Sequence, residues 1–292
     1  MTSSIFTVAL PLVLALVMFG LGLALTVADF ARVLTLPKAV LVTLLCQLVL
    51  LPALCFGLVL LVGLGPDLAI GMMLLVASPG GVTANILAHL AGGDVAFSIT
   101  VTAVNSVLAV LTLPLVTAFA LARFGDGGGI GLQLDKLAQV FAVVLVPVAL
   151  GMLVRHRWAA FAERMQRPVR LASVTAVTLA ILAAVLQQLD EFLPSLVAVG
   201  LVCVVLSVLS LAIGYGVPRL ANVPRRQAIA SSLEIGVHNA VLAITVAVSV
   251  LGNPAAAIAP AIYGVVMFGP AGAFAWALSR RALRVQPASG GR

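Results

Sequence analysis

Nine apolar runs, each long enough to cross a lipid bilayer, follow one another along this chain with short polar breaks between them. Their approximate limits are 5–27, 38–63, 68–91, 94–122, 136–154, 169–189, 194–217, 227–251 and 255–278. A spanning helix needs about 20 consecutive apolar residues, so the runs occupy nearly all of the 292-residue chain. Spanning β-strands are about ten residues long and alternate in character; these runs do neither. Composition agrees, with 63% of residues hydrophobic and 9% charged, where a soluble domain carries about 25% charged residues to coat its surface. The pattern predicts an all-α polytopic membrane protein with nine transmembrane helices. It excludes a soluble enzyme, a nucleic-acid-binding domain and a disordered chain. The partner it demands is a lipid bilayer; no nucleic acid and no obligate protein partner is indicated.

The net charge of +7 then reports topology. Alternate loops and the C-terminal tail hold 14 of the 16 Lys and Arg residues, and the other loops hold Arg123 and Lys136. The positive-inside rule puts the rich set in the cytoplasm, with the N-terminus outside and the C-terminus inside, as an odd number of spans requires. The first run follows Met-Thr-Ser-Ser with no basic flank and no cleavage site, so it reads as a retained helix and not a signal peptide. Arginine outnumbers lysine 14 to 2 and no N-x-Ser/Thr acceptor occurs, as suits a bacterial inner (plasma) membrane. Residues 1–123 form an N-terminal half and 136–279 a C-terminal half. The Gly-rich stretch within 124–135 links them outside, and 280–292 is a basic cytoplasmic tail. The basic segment 155–170 is expected as a loop at the headgroup surface. Cys46, Cys55 and Cys203 lie inside apolar runs without metal-ligand spacing and read as packing residues.

Polar residues inside the runs carry the chemistry. An ionised side chain at mid-bilayer costs about 2.5–3.5 kcal/mol on insertion scales, and eight of the nine acidic residues avoid that cost at loops or span ends. Glu234 does not. It lies within the eighth run in Ser231-Ser-Leu-Glu-Ile-Gly-Val-His-Asn239, with His238 four residues on. The third run holds Ser78-Pro-Gly-Gly-Val-Thr-Ala-Asn85, where Pro79 removes an amide and Gly80 and Gly81 weaken the helix. Gly81-Val-Thr-Ala-Asn-Ile-Leu-Ala88 matches Gly236-Val-His-Asn-Ala-Val-Leu-Ala243 once one residue is skipped. Two interrupted helices in oppositely oriented halves point to a secondary transporter with an inverted repeat. The breaks are expected at Pro79, Gly80 and Gly81, and at Gly236.

Ser98 and Thr102, four apart, share one face of the fourth run, and Gln47 sits before Pro52 in the second. With Asn85, Glu234 and unwound carbonyls they make an oxygen-rich pocket with one negative charge, which suits a hard alkali cation. A transition-metal reading of His238 with Glu234 lacks a third ligand. An intramembrane hydrolase would need an elbow or zinc motif, and neither occurs. A channel or receptor would not need two mirrored interruptions.

These segments resemble the bile acid:sodium symporter family. The likeness is carried by Met18-Phe-Gly-Leu-Gly-Leu-Ala-Leu25 with Asp29-Phe30, Gln47 with Leu51-Pro52, Pro79-Gly-Gly-Val-Thr-Ala-Asn85, Gly93-Asp-Val-Ala-Phe-Ser98 with Thr102, and Glu234-Ile-Gly-Val-His-Asn239. The resemblance implies the nine-helix form of the family, with two broken, crossing helices. Spans two to four and seven to nine would form a core, and spans one, five and six a panel. It implies sodium-coupled uptake of a small organic anion, with Na⁺ as coupling ion and no other cofactor. A first sodium site would fall on Ala84, Asn85, Ser98, Thr102 and Glu234, with Ala84 where a serine is common. A second would fall on Gln47, Glu234, the carbonyls of Ile235 and Val237, and His238, which replaces the usual glutamine. Substrate would lie beside Thr83 and Asn239. An imidazole is a poor sodium ligand, so coupling to H⁺ through a His238–Glu234 pair stays open. Arsenite carriers of the related family use a cysteine near the first break; here the residues are Val76-Ala-Ser-Pro79.

Overall fold

The computed structural model describes residues 12, 15–20, 22–24, 26, 32–125, 134–187 and 189–285. Among them nearly everything is helical. The helices are α1 (Ala15–Ala24), α2 (Pro37–Leu45), α3 (Leu51–Val62), α4 (Pro66–Ala77), α5 (Val82–Leu90), α6 (Val95–Phe124), α7 (Leu134–Arg157), α8 (Ala159–Gln187), α9 (Leu189–Leu220), α10 (Arg225–Gly236), α11 (Ala240–Thr245), α12 (Ile258–Val266) and α13 (Phe268–Val285). Their large outward side chains are those a water-soluble protein would bury. Leu61, Leu220 and Val197 are more than 80% exposed and Val265 is 75% exposed, an arrangement that only an apolar surrounding makes favourable. Among the described residues, Pro37–Val62, Val199–Leu220 and Ala255–Leu278 are each long and apolar enough to cross a bilayer, as is the bent pair Val95–Ala109 and Leu111–Phe124 taken as one span.

Each irregularity has a local cause. The second run is continuous through a π turn, Cys46–Leu50, in which the Leu51 N–H reaches back to the Cys46 carbonyl. Pro52 follows immediately, and its ring would crowd the carbonyl four residues earlier in a regular helix; the wider turn relieves this. α6 bends by 55° where Pro114 opposes the carbonyl of residue 110. The turn before α6 is pinned at both ends. Asp94 caps the helix by accepting the Phe97 N–H at 3.1 Å, and its own N–H donates to the Arg226 carbonyl at 3.0 Å.

The basic segment 155–170 is helical, contrary to the expectation of a loop. α7 runs through Arg157, α8 begins at Ala159, and only Trp158 intervenes. The Trp158 N–H still donates to the Val154 carbonyl, and the Ala162 N–H to the Trp158 carbonyl. The Ala, Glu, Gln and Met residues that follow are strong helix formers, and Arg155 pairs with Glu163 at 3.2 Å. The basic tail likewise begins inside α13, which continues to Val285. Asp29, Phe30, the Gly-rich stretch 126–129 and residues 286–292 lie outside the described residues.

Two hydrophobic clusters form. The larger gathers α2 to α6 and α9 to α13 around Leu51, Met72, Leu74, Phe97, Leu206 and Tyr263, and is joined by Met18 of α1 and Val148 of α7. The smaller joins Leu23 of α1 to Ala162 and Val169 of α8, and the Gln166 side-chain N–H donates to the Leu23 carbonyl at 2.9 Å. α1 also lies against α7 backbone to backbone. A Cβ on Gly22 would strike the Val148 carbonyl, and one on Gly151 the Phe19 carbonyl. Small residues permit such close approach between apolar helices.

Candidate functional site

Both predicted interruptions are present, and they meet. α4 ends at Ala77, and Ser78 is extended (φ −74°, ψ 142°). The chain regains helix only after Gly81, also extended (φ −101°, ψ 171°). α10 ends at Gly236 and Val237 is extended (φ −121°, ψ 97°). Gly80 and His238 pair as an isolated antiparallel bridge, and the Asn239 N–H donates to the Pro79 carbonyl at 3.0 Å. Unwound backbone in an apolar surrounding must find partners inside the protein. Here each break supplies them for the other.

The register of the second break differs from that read off the repeat. Gly81 is the last residue before α5, whereas its sequence partner Gly236 is the last residue of α10. The unwound residues are Val237, His238 and Asn239, with no proline among them. Gly236 is required for packing, since a Cβ there would strike the Leu211 side chain of α9. Asn239 spends its Oδ1 on capping α11, accepting the Leu242 N–H at 3.1 Å. Thr83 lies in the first turn of α5 and is partly buried.

Glu234 is fully buried in the last turn of α10. The Thr102 hydroxyl reaches its Oε2 at 2.7 Å and also the Ser98 carbonyl at 2.9 Å. The carboxyl group rests against the Gly80 Cα, in the space a Cβ would fill. Its other oxygen, Oε1, has no hydrogen-bond partner in the protein, and neither have Asn85 Oδ1 and Ser98 Oγ. The helices bearing these groups, α5, α6 and α10, pack pairwise on one another. Ala84 of α5 is fully buried beside them in sequence. Buried oxygens without donors are costly, and a buried carboxylate without a counter-charge costs several kcal/mol. A small hard cation with oxygen preference removes both costs.

Around the first break lies a second group. Gln47, inside the π turn, donates from Nε2 to the carbonyls of Val76 at 3.4 Å and Ser78 at 3.3 Å. His238 Nδ1 lies 3.4 Å from the same Ser78 carbonyl. Gln47 Oε1 and His238 Nε2 are buried without partners. Ile235 is in the last turn of α10, and Val237 follows its end.

One expectation from the sequence is corrected here, and one residue is added. His238 and Glu234 do not form a hydrogen-bonded pair. The i,i+4 relation needs continuous helix, and α10 ends at Gly236 between them, so His238 turns to Ser78 and Glu234 to Thr102. Ser231 and Ser232, close to Glu234 in sequence, bond elsewhere, Ser231 receiving the Thr43 hydroxyl at 3.0 Å and Ser232 donating to the Leu211 carbonyl at 2.7 Å. Tyr263 was missed. Its hydroxyl donates to the Gly236 carbonyl at 3.0 Å, closing the end of α10, and its ring lies 5.6 Å from that of His238. A tyrosine in an apolar run, one of two in the chain, was the available signal, because a buried phenol needs a partner. Tyr263→Phe is expected to lower stability by about 1–3 kcal/mol, the cost of an orphaned buried carbonyl, read as a lower melting temperature with the helical circular-dichroism spectrum retained.

A family model described as the Sodium Bile acid symporter family matches residues 11–195, well over half of the chain. The chain belongs to this family. Among its relatives, the chain is similar to a probable chloroplastic sodium/metabolite cotransporter of Arabidopsis thaliana, 30% identical over 254 residues that cover 86% of this chain and 62% of that one. The ileal sodium/bile acid cotransporter of Oryctolagus cuniculus is 27% identical over 246 residues, 84% of this chain and 70% of its own. An uncharacterized sodium-dependent transporter of Bacillus subtilis (strain 168) is 26% identical over 255 residues, 86% and 77%. The chain thus spans about three fifths of the chloroplastic relative's length. Sodium bile acid symporters and these relatives are transporters, and the apolar helices make this chain an integral membrane protein.

Proposed function

We propose that this chain is a sodium-coupled symporter of a small organic anion, working by alternating access in the bacterial plasma membrane. One observation carries the reading: a fully buried carboxylate, Glu234, meets Thr102 and Gly80 where two unwound helix segments pair, on helices packed with those that carry the unpartnered oxygens of Asn85 and Ser98. Sodium is held by the Ala84 carbonyl, Asn85, Ser98, Thr102 and Glu234. A second oxygen set, Gln47, Glu234, Ile235, Val237 and His238, fits sodium less well because His238 brings nitrogen. The anion binds beside Thr83 and Asn239, where the starts of α5 and α11 present the positive ends of helix dipoles.

In this reading the chain makes nine spans, with its N-terminus outside and its C-terminus in the cytoplasm. Its halves, 1–123 and 136–279, form an inverted repeat joined through 124–135. Spans two to four and seven to nine are the core, and spans one, five and six the panel against which it moves. The packing of α1 on α8 and α7 supports that grouping, and Met18 and Val148 join it to the larger cluster. Each net charge carried down a 100 mV potential contributes about 2.3 kcal/mol, equivalent to roughly fifty-fold accumulation.

The test is uptake into proteoliposomes of a panel of carboxylates and sulfonates, with sodium, potassium and pH gradients imposed separately. Saturable uptake driven by sodium alone is the expected result. Uptake that follows only the pH gradient would make the chain a proton-coupled carrier, and unsaturable flux without any gradient requirement an uncoupled channel; either overturns the proposal. Asn85→Ala deletes an oxygen that has no other partner. It is expected to raise the half-saturating sodium concentration at least about tenfold, the equivalent of about 1.4 kcal/mol, and so to abolish uptake at ordinary sodium gradients.

A further inference from the structure

We propose that this chain binds one sodium ion per transport cycle, because an imidazole nitrogen stands where its second oxygen set needs an oxygen. The inference rests on the symport reading above and concerns only the number of ions.

The groups around the first break are engaged with each other. The Ser78 carbonyl is approached by Gln47 Nε2 at 3.3 Å and by His238 Nδ1 at 3.4 Å. A carbonyl only accepts, so Nδ1 carries the proton in this contact, and a neutral imidazole then leaves a bare lone pair on Nε2. That nitrogen is the one group His238 has left to offer, and it is buried. Imidazole nitrogen serves borderline transition metals, whereas alkali and alkaline-earth ions take oxygen. No group of three His, Cys, Asp or Glu side chains suited to a metal occurs among the described residues, so a transition ion has no cage here either.

The ring has little freedom to swing aside. It lies against Tyr263, with ring centroids 5.6 Å apart, and the Tyr263 hydroxyl occupies the Gly236 carbonyl between the backbone oxygens of Ile235 and Val237. Glu234 brings at most one oxygen, Oε1, to this side. Its Oε2 is held by Thr102, and Gly80 seats the carboxyl group beside the first break. The second set therefore keeps Gln47 Oε1, the one Glu234 oxygen that the first ion also needs, and backbone oxygens, with a nitrogen in the remaining place.

The consequence is electrical. One sodium ion with one monovalent anion moves no net charge, so the membrane potential drives no accumulation. Two would gain roughly fifty-fold per 100 mV.

The test is binding of radioactive sodium to the purified full-length chain, read by scintillation proximity, with potassium chloride holding ionic strength constant. The expected result is one ion per chain at saturation and a sodium-dependent rise in melting temperature with a Hill slope of one. Two ions per chain would overturn this inference and leave the symport reading intact. No bound sodium would overturn the symport reading itself. In His238→Gln, whose melting temperature checks folding, a side-chain oxygen returns and the count is expected to rise to two. A folded variant that still binds one ion would show that His238 does not exclude the second, and would overturn the inference.

Discussion

Glu234→Gln is expected to abolish sodium-driven uptake while leaving the chain folded. The amide keeps the shape of the carboxyl group, so its seat against Gly80 and its contact with the Thr102 hydroxyl survive. What disappears is the negative charge. Removing one partner of a buried, desolvated charge pair costs about 2–5 kcal/mol, and the lower figure already weakens sodium binding about thirty-fold. The sign of the stability change without sodium is opposite. A carboxylate with no counter-ion is expensive to bury, so the variant is expected to melt at or above the wild-type temperature in potassium and to lose its response to sodium. Uptake under a fixed sodium gradient and melting in sodium against potassium check both parts. Full sodium-dependent uptake by this variant would remove Glu234 from the coupling site.

Gly80→Ala is the second change of large expected effect, and its cause is spatial. Gly80 does not have a left-handed backbone, so alanine can adopt its conformation. Its methyl group, however, would land on the Glu234 carboxyl. Overpacking of this kind costs about 1–3 kcal/mol. Relief requires either moving the carboxyl away from Thr102 or parting the bridge between Gly80 and His238. Both disrupt the proposed sodium site, so uptake is expected to fall below a tenth of wild type together with a lower melting temperature. Gly81→Ala is the internal control. A Cβ there meets nothing closer than the Thr83 hydroxyl at 3.3 Å, and most of the uptake should remain. Equal behaviour of the two variants would refute a specific role for the space beside Gly80.

Much of this was legible along the chain because hydropathy and helix breaking are local properties. Long apolar runs identify an integral membrane protein without reference to packing, and a lone glutamate within one of them marks where an ion must compensate. Pro79 with two glycines unwinds a helix through its missing amide and its backbone freedom. The second break was less legible. No proline marks it, and the glycine that aligns with Gly81 is held for its fit against Leu211, so the unwound residues begin one position later. Ser231 and Ser232 lie near Glu234 in sequence but bond to Thr43 and Leu211 on other helices; Ser232 points about 200° around the helix from Glu234, while Ser231, on nearly the same face, is engaged by the neighbouring α2.

By itself the sequence determined the class of molecule, its apolar runs, the buried acid and the proline-marked break, since each depends on a residue and its immediate neighbours. Only the tertiary structure decided that the two breaks pair through Gly80 and His238, that Thr102 meets Glu234 across 132 positions, and that His238 turns to Ser78 instead of to the acid four residues before it. Those choices depend on which helix faces meet and on where one backbone leaves room for another's side chain.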